Sequence, residues 1–252
     1  MARYDFRSPR LFDEAPLAAD TVLPLEPKQA NYLVNVLRLK PGAEVLVFNG
    51  RDGEWRAQLD AAGKKAVHLT IAERTRKQTA PGDLHYLFSP LKHARLDYMV
   101  QKAVELGASR LQPVIMRHTQ AERVNLVRMR ANAIEAAEQC GILNIPEIVA
   151  PITLDAFARK WVPERLLVFC DEDAEVQDPV AALAAGRDPV GLGPTAVTLL
   201  VGPEGGFAEE ERASLLELAN IVRLALGPRI LRADTAAVAA LTLVQAVLGD
   251  WR

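Results

Sequence analysis

Three charged residues stand where charge is costly. Glu204 interrupts the glycine-rich run Val201-Gly202-Pro203-Glu204-Gly205-Gly206-Phe207, and Arg232 and Asp234 interrupt an otherwise apolar loop, Ile230 to Ala236. Charged side chains in such settings are expensive unless they are paired or have chemistry to perform. A carboxylate can accept or steer a proton, and a guanidinium can stabilise an anion that develops during a reaction. The glycines around Pro203 allow backbone angles that other residues resist, so this run can offer amide groups to a ligand. Taken alone it equally suits a loop that joins a strand to a helix, and its spacing matches neither a dinucleotide fingerprint nor a phosphate loop. A second such loop follows within one short span, where Gly227-Pro228 breaks Leu224 to Ala237.

The elements that must position these residues are legible as runs. Thr198 to Val201 reads as a buried strand, and Ala208 to Ala219 as a helix whose Glu209, Glu210 and Glu211 suit the positive end of its dipole. Val222 to Leu226 reads as a second strand, and Ala236 to Val247 as a helix apolar on nearly all sides. Upstream, strands at 84–89, 111–116, near Ile148 and at 165–170 alternate with helices at 94–106, 126–139, 154–161 and 179–184. Such alternation predicts an α/β fold with a parallel sheet and ligands at the carboxyl ends of its strands.

Residues 1–72 have a different texture. A strand within 17–25, a helix over 26–36 and strands at 44–48, 54–60 and 66–72, the last three joined by turns at Asn49-Gly50 and Gly63-Lys64, predict a small β-barrel with one helix. Arg74 to Gly82 is polar, charged and closed by Pro-Gly, so 73–82 is expected to link this domain to a second over 83–252.

Composition narrows the function classes. With 252 residues, half of them hydrophobic, the chain can bury a substantial core. Its net charge of −2 excludes attachment to nucleic acid by bulk charge alone. Residues 1–80 hold 13 Lys/Arg against 10 Asp/Glu, and the remainder 17 against 22, so a polyanion would meet the N-terminal part first. Cys140 and Cys170 form no CxxC pair and the four histidines are scattered, which predicts reduced thiols and no metal. The N-terminus lacks an apolar signal segment, and Ala236 to Leu248 is too short and interrupted to span a bilayer; a cytoplasmic protein without a membrane association is expected.

The pair of stretches Leu199 to Phe207 and Leu224 to Ala236 resembles the two C-terminal signatures of the RsmE-type ribosomal RNA methyltransferases, members of the knotted SPOUT class that use S-adenosylmethionine. The likeness extends through Gln101-Lys102-Ala103-Val104-Glu105-Leu106-Gly107, Pro113, Glu135 to Cys140, Pro146-Glu147 and, near the start, Val36-Leu37-Arg38-Leu39 with Pro41-Gly42. It departs from the family pattern at Asn31 and Tyr32, at Ile142, and at Asp234, where the family carries a longer acid.

The resemblance implies a PUA-like N-terminal domain, a C-terminal SPOUT domain with a trefoil knot, and a homodimer. It places the cofactor against Phe169, Cys170, Val201, Gly202, Pro203, Gly205, Leu226, Gly227, Ile230, Leu231, Thr235 and Ala236, with the last loop wrapping the adenine. It also turns Arg10, Arg38 and Arg3 from solvated charges into expected RNA contacts. The implied reaction is methyl transfer to N3 of a uridine in small-subunit (16S) ribosomal RNA, with Asp234 as base, Glu204 as the second candidate and Arg232 stabilising the uracil anion. The rivals are a related enzyme acting on ribose 2′-OH or another base, and a non-catalytic RNA-binding assembly factor, which would need no cofactor.

Overall fold

The computed structural model describes residues 7–61, 67–121, 123–176, 178–186 and 196–251. Arg3 and the Gly63-Lys64 turn lie outside them. The chain divides into two compact units, one of residues 1–80 with 134–145, the other of 81–133 with 146–252.

The first unit is a five-stranded sheet in the order β1-β3-β4-β5-β2, formed by β1 (Arg10–Phe12), β2 (Val22–Pro24), β3 (Glu44–Phe48), β4 (Glu54–Ala61) and β5 (Val67–Arg76). All neighbours run antiparallel except β1 and β3. The hydrogen-bonded path runs from β1 at one end to β2 at the other, and these strands form the small β domain expected of residues 1–72. Alternation along β3 to β5 turns Val45, Val47, Ala57, Leu59, Leu69 and Ile71 into one buried cluster with Leu11, Leu17, Leu23 and Leu33. Strand β5 continues through Arg76, so the first residues of the polar stretch at 74–82 are sheet.

The expected helix at 26–36 is present in two parts. α1 (Pro27–Asn31) is followed by a π-helical turn, Tyr32–Val36, closed by the Leu37 amide donating to the Tyr32 carbonyl at 2.9 Å. Gln29 starts α1 by accepting the Glu26 amide at 2.9 Å. The wider turn ends in Arg38, which takes a left-handed backbone with φ of 56°.

The second unit is built on parallel strands in the order β12-β10-β11-β6-β7-β8. These are β6 (Leu84–Phe88), β7 (Arg110–Ile115), β8 (Glu147–Ile148), β10 (Leu166–Cys170), β11 (Val197–Val201) and β12 (Ile221–Leu224), with β9 (Ile152–Thr153) pairing β7. Helices α2 (His93–Glu105), α3 (Leu126–Cys140, which from Ile134 on belongs to the first unit), α4 (Leu154–Arg159), α5 (Pro179–Ala185), α6 (Glu209–Leu216) and α7 (Ala233–Val247) alternate with them. Burial explains the apolar runs: Val197 to Val201 are all buried, as a strand flanked by two others must be. The order places β10 between β11 and β12. The loops leaving these three strands therefore emerge side by side at one sheet end, although their sequences are far apart.

Helix α7 starts at Ala233, three residues earlier than its apolar run indicates, so Asp234 sits in its first turn rather than in a loop. That is a favourable position for an acid at the positive end of the helix. Gln245, a polar residue within the apolar run of α7, is buried and satisfied: its amide donates to the Leu106 carbonyl at 2.7 Å and its oxygen accepts the Asp250 amide at 3.1 Å.

Candidate active site

The three neighbouring strand ends enclose a cavity of about 490 Å³. From β10 come Cys170, Asp171 and Glu172; from β11, Val201, Gly202, Pro203, Glu204, Gly205, Gly206 and Phe207; from β12, Leu224 and the loop Leu226 to Leu231, with Ala233 and Ala236 of α7. Ten of the twelve residues expected at the cofactor thus line one cavity. Phe169 instead lies wholly buried behind the wall, its ring edge-on to Phe207 at 5.9 Å, and Thr235 is exposed on α7 outside the lining.

Backbone geometry shapes the wall made by β11. A Cβ on Gly202 would come within 3.0 Å of the Phe207 ring, and one on Gly206, whose φ is 72°, within 2.8 Å of Glu172. A side chain at Gly202 would crowd the Phe207 ring, and the left-handed backbone at Gly206 disfavours one, so main-chain groups face the cavity there. Glu211 fixes the far side of the loop by accepting the amides of Ala208 at 3.0 Å and Arg117 at 2.8 Å. His118 packs on the same loop, its Nδ1 3.2 Å from the Gly206 carbonyl.

The acids after β10 are committed to arginines. Asp171 is buried between Arg223, whose Nε donates at 2.8 Å, and Arg212, an ion pair at 3.2 Å outside hydrogen-bond geometry. Arg212 also holds Glu172 at 3.1 Å and pairs with Asp173. Burial, with Asp171 beside it, pushes the Cys170 thiol up to about 12, so this cysteine is an inert wall and no nucleophile at neutral pH.

The three charged residues of the catalytic expectation are placed differently from one another. Glu204 lines the cavity; Asp234 and Arg232 flank it from the start of α7. Asp234 is held by Arg95 of α2, whose Nε and Nη2 donate to its two oxygens at 3.1 and 2.9 Å, while Nη1 donates to Glu204 at 2.7 Å. One guanidinium therefore ties the two acids together, and its hydrogen bonds hold the Asp234 carboxyl below the usual range. Arg232 is exposed and makes no ion pair among the described residues. Arg95 lies 139 positions before Asp234 in the chain, so no spacing signal could have joined them. Lys102 and Glu105, from the stretch of α2 that carries the family likeness, form an ion pair with each other at 2.7 Å.

In the first unit Arg38 is exposed, but Arg10 is only 7% exposed. Its Nε donates to Glu54 at 3.2 Å, and Arg76 grips the same carboxylate at 2.9 and 2.5 Å while donating to the Gly141 carbonyl. This placement is a buried structural one, not an exposed phosphate contact. Among the described residues no group of side chains could hold a metal ion, and no helix is long and apolar enough to cross a membrane.

A family model described as RNA methyltransferase domain matches residues 77–245, and one described as RNA methyltransferase PUA domain matches residues 25–72. Ribosomal RNA small subunit methyltransferase E of Rickettsia conorii is 30% identical over 237 residues, 94% of each chain. The Synechocystis protein of the same name is 30% identical over 91% of this chain and 74% of its own length. The crystal structure of ribosomal RNA small subunit methyltransferase E from Neisseria gonorrhoeae bound to S-adenosyl methionine superposes with a TM-score of 0.82 at 27% identity, covering 98% of this chain and all of that one. With both of its units matched, and a cavity framed by the two glycine-rich stretches that first set the sequence apart, this chain belongs to the ribosomal RNA small subunit methyltransferase E family.

Proposed function

We propose that this protein transfers the methyl group of S-adenosylmethionine to N3 of a uridine in small-subunit ribosomal RNA, working as a cytoplasmic homodimer whose C-terminal domain carries a trefoil knot. The observation that carries the reading is the single cavity at the ends of β10, β11 and β12. Its size suits a cofactor of this class, since small-molecule sites run from roughly 300 to 1,000 Å³. Its donor set fits too: main-chain groups of Gly202 to Gly206, and apolar Leu226, Leu231 and Ala236 for a flat base.

The cofactor, when bound, supplies an electrophilic methyl on a sulfonium. The chain must do the rest. Uracil N3 carries a proton and is a poor nucleophile until that proton leaves, so a carboxylate has to accept it and a positive group has to stabilise the anion left behind. Asp234 is the proposed acceptor, kept ionised by Arg95, with Glu204 on the same guanidinium as the alternative. Arg232, exposed at the cap of α7, is the proposed stabiliser of the uracil anion. Because Arg95 weakens Asp234 as a base, proton acceptance is coupled to loosening of that pair when RNA enters.

Arg38 is the RNA contact this reading retains in the first unit. It is exposed, and its left-handed backbone after a π-turn is the kind of strain that marks functional positions. The homodimer is supported by α7. With one face buried, its second face still carries Val238, Ala239 and Leu243, half-buried apolar residues at helical spacing. Calorimetric titration with S-adenosylmethionine tests the enzymatic reading against the assembly-factor rival. Saturable binding that Gly206→Val abolishes is expected; no binding to the native protein would refute it.

A further inference from the structure

A second cavity, of about 420 Å³, lies in the same unit and takes no part in the site described above. Its floor is apolar, made by Leu91, Leu96 and Met129, and its rim is basic, carrying Lys92, Arg123 and Arg128. Residues 81–252 hold 17 basic and 22 acidic residues, so three cations around one groove are a local concentration against a negative background. The acid at the rim, Asp97, is already occupied: Arg128 clasps it through Nε at 2.9 Å and Nη2 at 2.5 Å, and Asn132 donates to it at 2.6 Å. Lys92 and Arg123 are exposed and make no ion pair among the described residues.

Two exposed cations that pair with no described residue, over an apolar floor, suit a ligand with an anionic edge and a flat, weakly polar body. A nucleotide unit of an RNA strand has that form, with phosphate for the rim and sugar and base for the floor. The groove also adjoins the chemistry. Lys92 and Leu96 line it, and Arg95, between them at the start of α2, holds Asp234 and Glu204. A strand entering the active site therefore meets this groove within one helical turn.

We infer that the groove of Lys92, Arg123 and Arg128 binds the backbone of the substrate RNA beside the target uridine, giving the methyltransferase domain an RNA-binding site of its own. This rests on the reading of the protein as an RNA methyltransferase. The test compares native protein with the double variant Lys92→Ala, Arg123→Ala, which leaves the Arg128–Asp97 pair intact. Binding of small-subunit ribosomal RNA, free and in isolated subunits, is titrated across salt concentrations. Losing two phosphate contacts should weaken binding roughly tenfold and flatten the slope of log affinity against log salt by about two. The KM for RNA should rise in step, while S-adenosylmethionine affinity and turnover at saturating RNA stay native. Lys92→Arg with Arg123→Lys keeps both charges and should restore the slope.

An unchanged salt slope and RNA affinity in a variant that still binds S-adenosylmethionine would overturn the inference. So would a small-anion result, in which inorganic phosphate stabilises the native protein and not the variant while RNA affinity is the same in both. Failure of the native protein to bind S-adenosylmethionine would instead refute the enzymatic reading. The salt-slope comparison would still decide the groove, because it reads RNA binding directly.

Discussion

At the scale of single residues, the site turns on one guanidinium. Arg95 spans Asp234 and Glu204, so a change at any of the three alters the other two, and single substitutions will not add. Asp234→Asn keeps the shape of the side chain and removes its charge. If Asp234 accepts the N3 proton, turnover should fall on the order of 10²- to 10⁴-fold with both ligands still bound. The defect should shrink as pH rises toward the range where uracil ionises unaided, and steady-state rates measured across pH with cofactor affinity alongside would show it. A defect constant with pH and matched by lost cofactor binding would make Asp234 a brace for Arg95 and move the base to Glu204. The sequence marked Asp234, Arg232 and Glu204 because charge in a glycine-rich or apolar loop needs a reason. It could not mark Arg95, since a basic residue on an amphipathic helix needs none.

At the scale of elements, the strands and loops were legible and the partners of buried charges were not. Thr198 to Val201 announced β11 by its apolar run, and the two glycine breaks announced the loops. Arg10 looked like any solvated arginine, yet β1 pairs with β3 and carries it under the sheet to Glu54. Arg10→Ala should cost about 1.5 to 3 kcal/mol, the usual worth of a hydrogen bond to a charged group, because Arg76 still neutralises Glu54. Glu54→Ala should cost more, about 3 to 5 kcal/mol, since it leaves two arginine side chains without their shared partner. Urea unfolding of both variants checks the order, and equal losses would contradict it.

Glu138 of α3 tests the same unit through pH. Burial, above all, with Glu135 nearby, pushes its carboxyl up to about 7, although the Phe12 amide donates to it at 2.8 Å and opposes the shift. The folded state therefore holds this proton more tightly than the unfolded chain does. Its contribution is full below an ordinary pKa of 4.5 and is lost as pH climbs through 7. Glu138→Gln removes the titration while keeping an oxygen for Phe12. Relative to the native protein the variant should gain on the order of 1 to 3 kcal/mol between pH 5 and 8; parallel stability profiles would exclude the effect.

At the scale of the whole molecule, the alternation of strands and helices was readable as a parallel sheet, but its order was not. Local pattern says that β10, β11 and β12 are strands; only the fold puts β10 in the middle, and that adjacency turns three loops into one cavity. The N-terminal texture likewise gave the small barrel and most of its strands but not β1, which is three residues long and carries no alternation to read. The apolar second face of α7 extends the reading to assembly: light scattering at micromolar concentration should give the mass of a dimer, and a monomer there would remove the proposed partner subunit. The proposed function turns on which atom receives the methyl group. Small ribosomal subunits from a strain lacking this protein should be incubated with it and isotopically labelled S-adenosylmethionine, and their RNA digested for nucleoside mass spectrometry. Label is expected in N3-methyluridine at a single position. Label in a 2′-O-methylated nucleoside or another base, or no label in RNA at all, would contradict the proposed function.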